Sequence, residues 1–566
     1  MTRLFGNLKA TNAPWGTREQ NGVGKFNDFS EKSLREIRNM GFTHIWYTGV
    51  IEHALLTDFT DFGIPLNDAD VVKGRAGSPY AIKDYYDVNP DLADSVPNRM
   101  EEFEALIHRS HQAGLQVLLD FVPNHVAREY ASDAKPHGTM DFGEEDDRNL
   151  SFHPQNNFYY VPGEDFQVPK DYDSLGPHAF PTKDGHFAES PAKVTGNDVF
   201  SAHPSVDDWF ETIKLNYGID YLNGGTKHFD PIPDTWIKMR DILLFWAAKG
   251  VDGFRCDMAE MVPVEFWKWV IREVKRQYPA VTFTAEIYNP GNYRNYIFLG
   301  GFDYLYDKVE LYDTLKGIIQ DRSSTDQIPQ VWQSQEGIGD HMLRFLENHD
   351  EQRIASRFFA GDMRKGIPMM ALSAFMHRGP IMIYFGQEVG EPALGDSGFS
   401  SDDGRTTIFD YWGVPEHQKW LNQGAFDGKM LPPAQAQLRQ KYIEILRATN
   451  DRPAIRQGGF FDLHYFNRNH QYHGYSDRIF TFLRHSEKEV LLIAVNLREA
   501  DEEVQLKIPE DAWQKMGMTT PIVIAKEQEH SITFARQSTV RYEEQTELRF
   551  IVPAVDYVIL QLNSKT

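Results

Sequence analysis

Four short segments join apolar runs to ionisable side chains: Asp120-Phe-Val-Pro-Asn-His125, Gly253-Phe-Arg-Cys-Asp257, Thr284-Ala-Glu286 and Phe345-Leu-Glu-Asn-His-Asp350. Together they supply the carboxylates Asp257, Glu286 and Asp350, the imidazoles of His125 and His349, and the guanidinium of Arg255. Paired carboxyl groups carry general acid–base chemistry, one giving up a proton while the other stays ionised. Taken singly, each segment has a plainer explanation. A carboxylate at a strand end often caps a helix or closes an ion pair, and Arg255, two residues before Asp257, lies on the same side of a strand and can pair with it. Brought together at one place, the set would be costly to bury without a purpose.

The surrounding pattern gives a reason for convergence. Ser30 can cap a helix carrying Leu34 and Ile37 that Gly41 ends, and Asn98 precedes a helical pattern of Phe103, Leu106 and Ile107 closed by Gly114. Trp236, Met239, Leu243, Trp246 and Ala247 share another helical face, ending at Gly250. Strand-like runs fall at 43–48, 116–122, 251–256, 281–286, 302–306, 342–346 and 380–385. Repeated βα order predicts an α/β fold with a parallel sheet, which closes as a (β/α)8 TIM barrel when eight units are present. The C-terminal strand ends of such a barrel form one face, and the four segments would meet there.

The barrel is expected over 1–126 and 207–452. Over 127–206, Pro, Gly, His, Asp and Asn are frequent and long helical periods vanish, which predicts an inserted domain. Past 452, runs at 479–483, 490–495, 504–508, 548–552 and 557–562 read as antiparallel strands of a C-terminal β-sandwich over 453–566.

Composition narrows the function. The 566 residues include 82 acidic and 58 basic side chains, for a net charge of −24, with 41% apolar and 13% aromatic residues. This excludes intrinsic disorder, and so acidic a surface repels phosphate backbones, arguing against a nucleic-acid partner. The aromatic share is mostly core, though it suits a site that stacks flat ligands such as sugar rings. No apolar run nears the ~20 residues of a membrane helix, so no membrane insertion is expected. The single cysteine, Cys256, excludes an internal disulfide framework and a multi-cysteine metal site. The first residues, Met1-Thr-Arg-Leu-Phe-Gly6, carry no secretory pattern. Two readings stand: a cytoplasmic chain, or a secreted or periplasmic one whose leader is missing. The sequence sets no oligomeric state.

The four segments, in order, resemble the conserved regions of the α-amylase family, glycoside hydrolase family 13. Ser78-Pro-Tyr-Ala-Ile-Lys-Asp-Tyr-Tyr-Asp87, Ile213-Lys-Leu-Asn216 and Gly379-Pro-Ile-Met-Ile-Tyr-Phe-Gly-Gln-Glu388 add to the likeness. The resemblance implies a retaining glycosidase acting on an α-glucan, with Asp257 as nucleophile kept ionised by Arg255 and Glu286 as general acid and base. It further implies that Asp350 binds ring hydroxyls and favours the oxocarbenium-like transition state. His125 and His349 would bond sugar hydroxyls, Tyr80 would stack on the sugar face, and Asn124 would be structural.

Three departures stand out. The family's Lys-His pair, three and four residues after the nucleophile, is Glu260-Met261 here. An acid that binds calcium in many members is Lys214, and the Lys-Leu-Asn form is closest to the neopullulanase and cyclomaltodextrinase branch. Lys214 is expected to leave the family's calcium site empty, with no metal or other cofactor. Lastly, the chain begins where relatives have already passed their first strand, so that strand is expected to be short, missing or supplied unconventionally.

Two alternatives to α-1,4-glucan hydrolysis follow from the same residues. A transglycosylase would use the same covalent intermediate with another acceptor. A non-catalytic sugar-binding relative would normally have lost one of Asp257, Glu286 and Asp350, all of which are present.

Overall fold

A computed structural model describes residues 1–516, 522–524, 541–542 and 547–564. The described residues form two compact units. The first comprises 1–38, 42–305 and 394–429, and the second 39–41, 306–393 and 430–564.

The first unit is organised by a parallel ladder. His44–Tyr47, Gln116–Phe121, Gly253–Cys256 and Thr282–Ala285 lie side by side in that order, followed by the strand that starts at Tyr304. Val117, Leu119, Phe121, Phe254 and Phe283 are buried. Continuous apolar runs of this kind suit strands covered on both faces, as parallel strands are. Register aligns Asp120, Arg255 and Thr284 across three strands. Asp257 and Glu286, each two residues further on, are therefore level with one another beyond the strand ends.

Amphipathic helices cover the ladder. Asp234–Ala248 buries Trp236, Met239, Leu243, Trp246 and Ala247, and Trp246 Nε1 donates to the Tyr85 carbonyl at 2.9 Å. Arg99–Gln112 buries Phe103, Leu106, Ile107 and Ser110. Gly114 and Gly250 follow these two helices at positive φ, where a side chain would be strained.

Thr2–Phe5 is a short buried helix rather than a strand, and the first strand of the ladder is His44–Tyr47. The helix is pinned by the buried Arg3 guanidinium, which donates to the carbonyls of Ala76 at 2.6 Å, Gly77 at 3.2 Å and Ile408. The 380–385 run, expected as a strand, makes only the isolated parallel bridge Arg344↔Ile381 in the second unit. Pro380, which has no N–H, cannot donate to a ladder.

Residues following the Gln116–Phe121 strand enter a pair of short antiparallel strands, His125–Ala127 with Thr212–Lys214, in which His125 faces Lys214. Between them in sequence lies the antiparallel pair Tyr160–Val161 with Ala192–Lys193, and Phe166, Ala192, Ala202 and Phe210 cluster with Val71.

In the second unit, Gly459–Asp462, Ile479–His485, Val490–Asn496, Asp556–Ser564 and Ile522–Ile524 form one antiparallel sheet. Glu502–Lys507, Glu547–Val552 and Arg541–Tyr542 form another. Leu483, Leu492, Val504, Leu506, Phe550 and Leu560 pack into one core. Among the described residues no helix is long and apolar enough to cross a membrane.

Candidate active site

In the first unit the end of the parallel ladder gathers Asp257, Glu286 and Asp120 around Arg255. The Arg255 side chain rises from the Gly253–Cys256 strand. Its Nη1 donates to Asp257 Oδ1 at 2.7 Å and reaches Asp120 Oδ1 at 3.3 Å, while Nη2 lies 2.9 Å from Glu286 Oε2. One planar fork thus touches both Asp257 and Glu286, a geometry that guanidinium provides and ammonium does not. Asp257 is 6% exposed, Glu286 3% and Arg255 1%. The guanidinium is flanked by the rings of Trp46, 5.3 Å from its carbon, and Tyr80, at 5.5 Å. Trp46 Nε1 also donates to Asp120 Oδ2 at 3.0 Å.

Glu286 has two further partners. The Met258 N–H donates to its Oε2 at 2.9 Å and the Tyr288 hydroxyl to its Oε1 at 2.7 Å. Met258 stands in the left-handed region, with φ of 41°.

Burial above all, and then the charge of Glu286, push the Asp257 carboxyl well above the usual carboxylate range, while Arg255 opposes them. Two carboxyls held at one guanidinium can divide the roles of acid and nucleophile between them.

His125, whose backbone begins the short strand after the Asp120 segment, is buried, with Nδ1 at 3.1 Å from Asn124 Nδ2 and its ring edge-on to Trp209. Burial, then the charges of Lys214 and Lys73, push its imidazole down to about 3. The imidazole is therefore neutral at physiological pH and brings no charge to the site.

His349 and Asp350 lie in the second unit, on the segment after Met342–Leu343. His349 Nε2 is 2.8 Å from Asp350 Oδ2; the histidine side chain is buried and that of Asp350 is 42% exposed. The Asn348 side chain accepts the N–H groups of Asp350 at 2.8 Å and Glu351 at 2.9 Å, which fixes the turn presenting them. Glu347 beneath is held by Arg353 at 2.8 Å and by the Ile354 N–H at 2.7 Å.

Lys214 is buried. Its Nζ lies 2.5 Å from Asn124 Oδ1, 2.7 Å from Asp198 Oδ1 and 3.4 Å from the Met261 carbonyl. These oxygens are of the kinds that a calcium ion takes, and here they surround an ammonium.

Trp46, Tyr288, Asp198 and the Met258 N–H escaped the sequence reading. Trp46 was visible within the 43–48 run, but its place beside Arg255 depends on strand register. Tyr288 stood two residues past Glu286 with no feature marking its hydroxyl for the acid.

The chain matches the family described as "Alpha amylase, catalytic domain" over residues 16–175 and 310–410. Among curated proteins it is 26% identical over 278 residues to an α-1,4-glucan:maltose-1-phosphate maltosyltransferase of Cereibacter sphaeroides, covering 47% of this chain and 30% of that one. It is 23% identical over 372 residues to alpha-amylase 3 of Dictyoglomus thermophilum, covering 62% and 63%. The chain spans less than two thirds of the length of these relatives. Among solved structures, a maltogenic α-amylase from Thermotoga neapolitana aligns with TM-score 0.59 at 18% identity over 96% of both chains. The acarbose-soaked debranching enzyme of Nostoc punctiforme aligns with TM-score 0.61 at 16% identity over 98% of this chain and 96% of that one. The fold is accordingly that of the TIM-barrel amylases, with an insertion after the Gln116–Phe121 strand and a C-terminal antiparallel β-domain.

Proposed function

We propose that this chain, a member of the α-amylase family, is a retaining glycoside hydrolase that cleaves α-1,4-glucosidic bonds of starch, maltodextrins or malto-oligosaccharides. The observation that carries the proposal is the Arg255 fork, which holds Asp257 and Glu286 on one guanidinium at adjacent strand ends. In this reading Asp257 attacks the anomeric carbon while Glu286 gives its proton to the departing glycosidic oxygen. Glu286, now ionised, takes a proton from water as that water displaces Asp257. Asp350 and His349 bind ring hydroxyls of the cleaved sugar, His125 bonds a hydroxyl as a neutral imidazole, and Tyr80 lies against the ring.

A second reading is transfer of the glycosyl unit to another sugar. It draws support from the relatives named as maltosyltransferases, and the same covalent intermediate serves it. Product profiling on soluble starch, maltotriose, pullulan and cyclodextrin decides. Hydrolysis gives shorter products whose new reducing ends are initially α. Transfer gives products longer than the starting maltotriose. Initial β-anomers would overturn the retaining assignment, and no turnover of any α-glucan would overturn both readings.

A further inference from the structure

We propose that Glu260 and Tyr288 act together as positioning residues that set the proton-delivering oxygen of Glu286; this rests on the reading of Glu286 as the acid.

The two oxygens of Glu286 differ in their surroundings. Oε2 is held from the protein side by the Met258 N–H and by Arg255 Nη2, each at 2.9 Å. Oε1 is met by the Tyr288 hydroxyl at 2.7 Å. Oε1 is therefore the oxygen from which a proton can pass to a glycosidic oxygen, and the phenol touches that same atom. Before transfer, Tyr288 donates to a lone pair of the neutral carboxyl. The proton then leaves Oε1 for the glycosidic oxygen, whose bond to the anomeric carbon breaks with the electron pair staying on the leaving oxygen, as Asp257 bonds to that carbon. Oε1 is left as a carboxylate oxygen. The bond from Tyr288 becomes charge-assisted and stronger at that moment. An interaction that strengthens as the reaction proceeds lowers the barrier rather than merely tightening binding.

The second half of the arrangement explains why residue 260 is an acid. Glu260 lies in the turn Ala259–Met261, just past Asp257. Its Oε1 accepts the Tyr288 N–H at 3.0 Å and its Oε2 the Asn289 N–H at 3.2 Å. The turn is anchored in its own right, since the Tyr296 hydroxyl donates to the carbonyls of Glu260 at 3.2 Å and Val262 at 3.0 Å. The carboxylate thus ties the loop after the nucleophile to the loop after the acid, with Tyr288 at the knot. A lysine has donors only and could accept neither N–H.

The test compares two substrates on Tyr288→Phe, Glu260→Gln and the double variant. Maltotriose has a poor leaving group and needs the proton; α-maltosyl fluoride leaves with little protic help. Tyr288→Phe should lose about tenfold in kcat on maltotriose with KM little changed, a modest part of what a general acid contributes, and keep near wild-type rates on the fluoride. Glu260→Gln should show the same selectivity, and the double variant should lose no more than Tyr288→Phe alone. Equal losses on both substrates would overturn the proposal in favour of a merely structural role. So would an unimpaired Tyr288→Phe, and additive losses in the double variant would dissolve the pairing. Should Glu260→Gln fail to fold, Tyr288→Phe, which removes one hydroxyl, decides alone. Failure of the underlying reading looks different: Glu286→Gln would then lose as much on the fluoride as on maltotriose.

Discussion

Arg255 and Asp257, two residues apart, form a buried ion pair at 2.7 Å along the end of one strand. Period-two geometry puts both side chains on the same side of the strand, so the pair forms locally. The other arm of the fork goes to Glu286, which no local rule supplies. Arg255→Lys keeps the charge but not the fork. We expect it to cut kcat on maltotriose by about a hundredfold, in line with the loss of one well-placed electrostatic contact. Near-normal turnover would mean that the shared guanidinium is not what sets the two carboxyls.

Asp257→Asn and Glu286→Gln should each lower kcat on maltodextrin on the order of a thousandfold or more, since neither covalent attack nor proton transfer has a substitute. Both are near-isosteric, so melting temperatures should stay within a few degrees of the parent. The two should differ on an activated substrate: Glu286→Gln recovers with a good leaving group and Asp257→Asn does not. Rates close to wild type in both variants would remove these residues from the chemistry.

Much of the frame behind these expectations was legible in the chain. The buried strands ending in Asp120, Asp257 and Glu286 announce themselves because parallel strands are apolar on both faces and stop where polarity returns. The helix of 234–248 was readable from its apolar stripe. What escaped depended on register or on loop geometry. Tyr288 meets Glu286 in a loop whose Tyr288 and Asn289 N–H groups are bound by Glu260, and Trp46 meets Arg255 across a strand interface. The first strand was expected to be short, missing or supplied unconventionally; Thr2–Phe5 is a helix, whose Arg3 reaches three carbonyls far along the chain. Protonation was the least legible layer, since burial and the neighbouring Glu286 raise the Asp257 carboxyl while Arg255 opposes them, and only Arg255 is local in sequence.

Two buried histidines should make the fold acid-sensitive. Burial, then a nearby cation, pushes His53 and His125 each down to about 3; for His53 the cation is Arg3, 3.3 Å away. In the unfolded chain each would titrate near 6.5. Between those values the unfolded state binds protons that the folded state refuses, so stability falls as pH drops from about 6.5 toward 3. Glu52 works in the opposite direction. Buried and pushed up to about 8, it favours the folded state below about 4.5 and loses that advantage as pH rises toward 8. Melting temperature measured from pH 7 to 4 should fall less steeply in His53→Gln than in the parent. An unchanged slope would show that His53 is not the group refusing the proton.

Lys214 is expected to make divalent metal unnecessary between the barrel and its insertion. Its ammonium lies within 2.5 Å of Asn124 Oδ1 and 2.7 Å of Asp198 Oδ1. A calcium ion takes six to eight oxygen ligands at 2.3–2.6 Å, so it would compete for the same oxygens against a fixed positive charge. EDTA should therefore leave activity and melting temperature unchanged. A strong loss of either, restored by calcium and not by magnesium, would refute this. Removing the ammonium tests the same point from the other side. Lys214→Ala strands Asn124 and Asp198 together, and we expect it to cost about 1–3 kcal/mol, less than breaking a fully buried pair because Asp198 is 37% exposed. Lys214→Asp places an acid among those oxygens and should be less stable still without metal, because two carboxylates then face each other. If the ammonium occupies a cation's place, millimolar calcium should raise the melting temperature of Lys214→Asp while leaving that of the parent unchanged. A calcium response in the parent, or none in Lys214→Asp, would mean that Lys214 is an ordinary buried lysine and not a substitute for a metal ion.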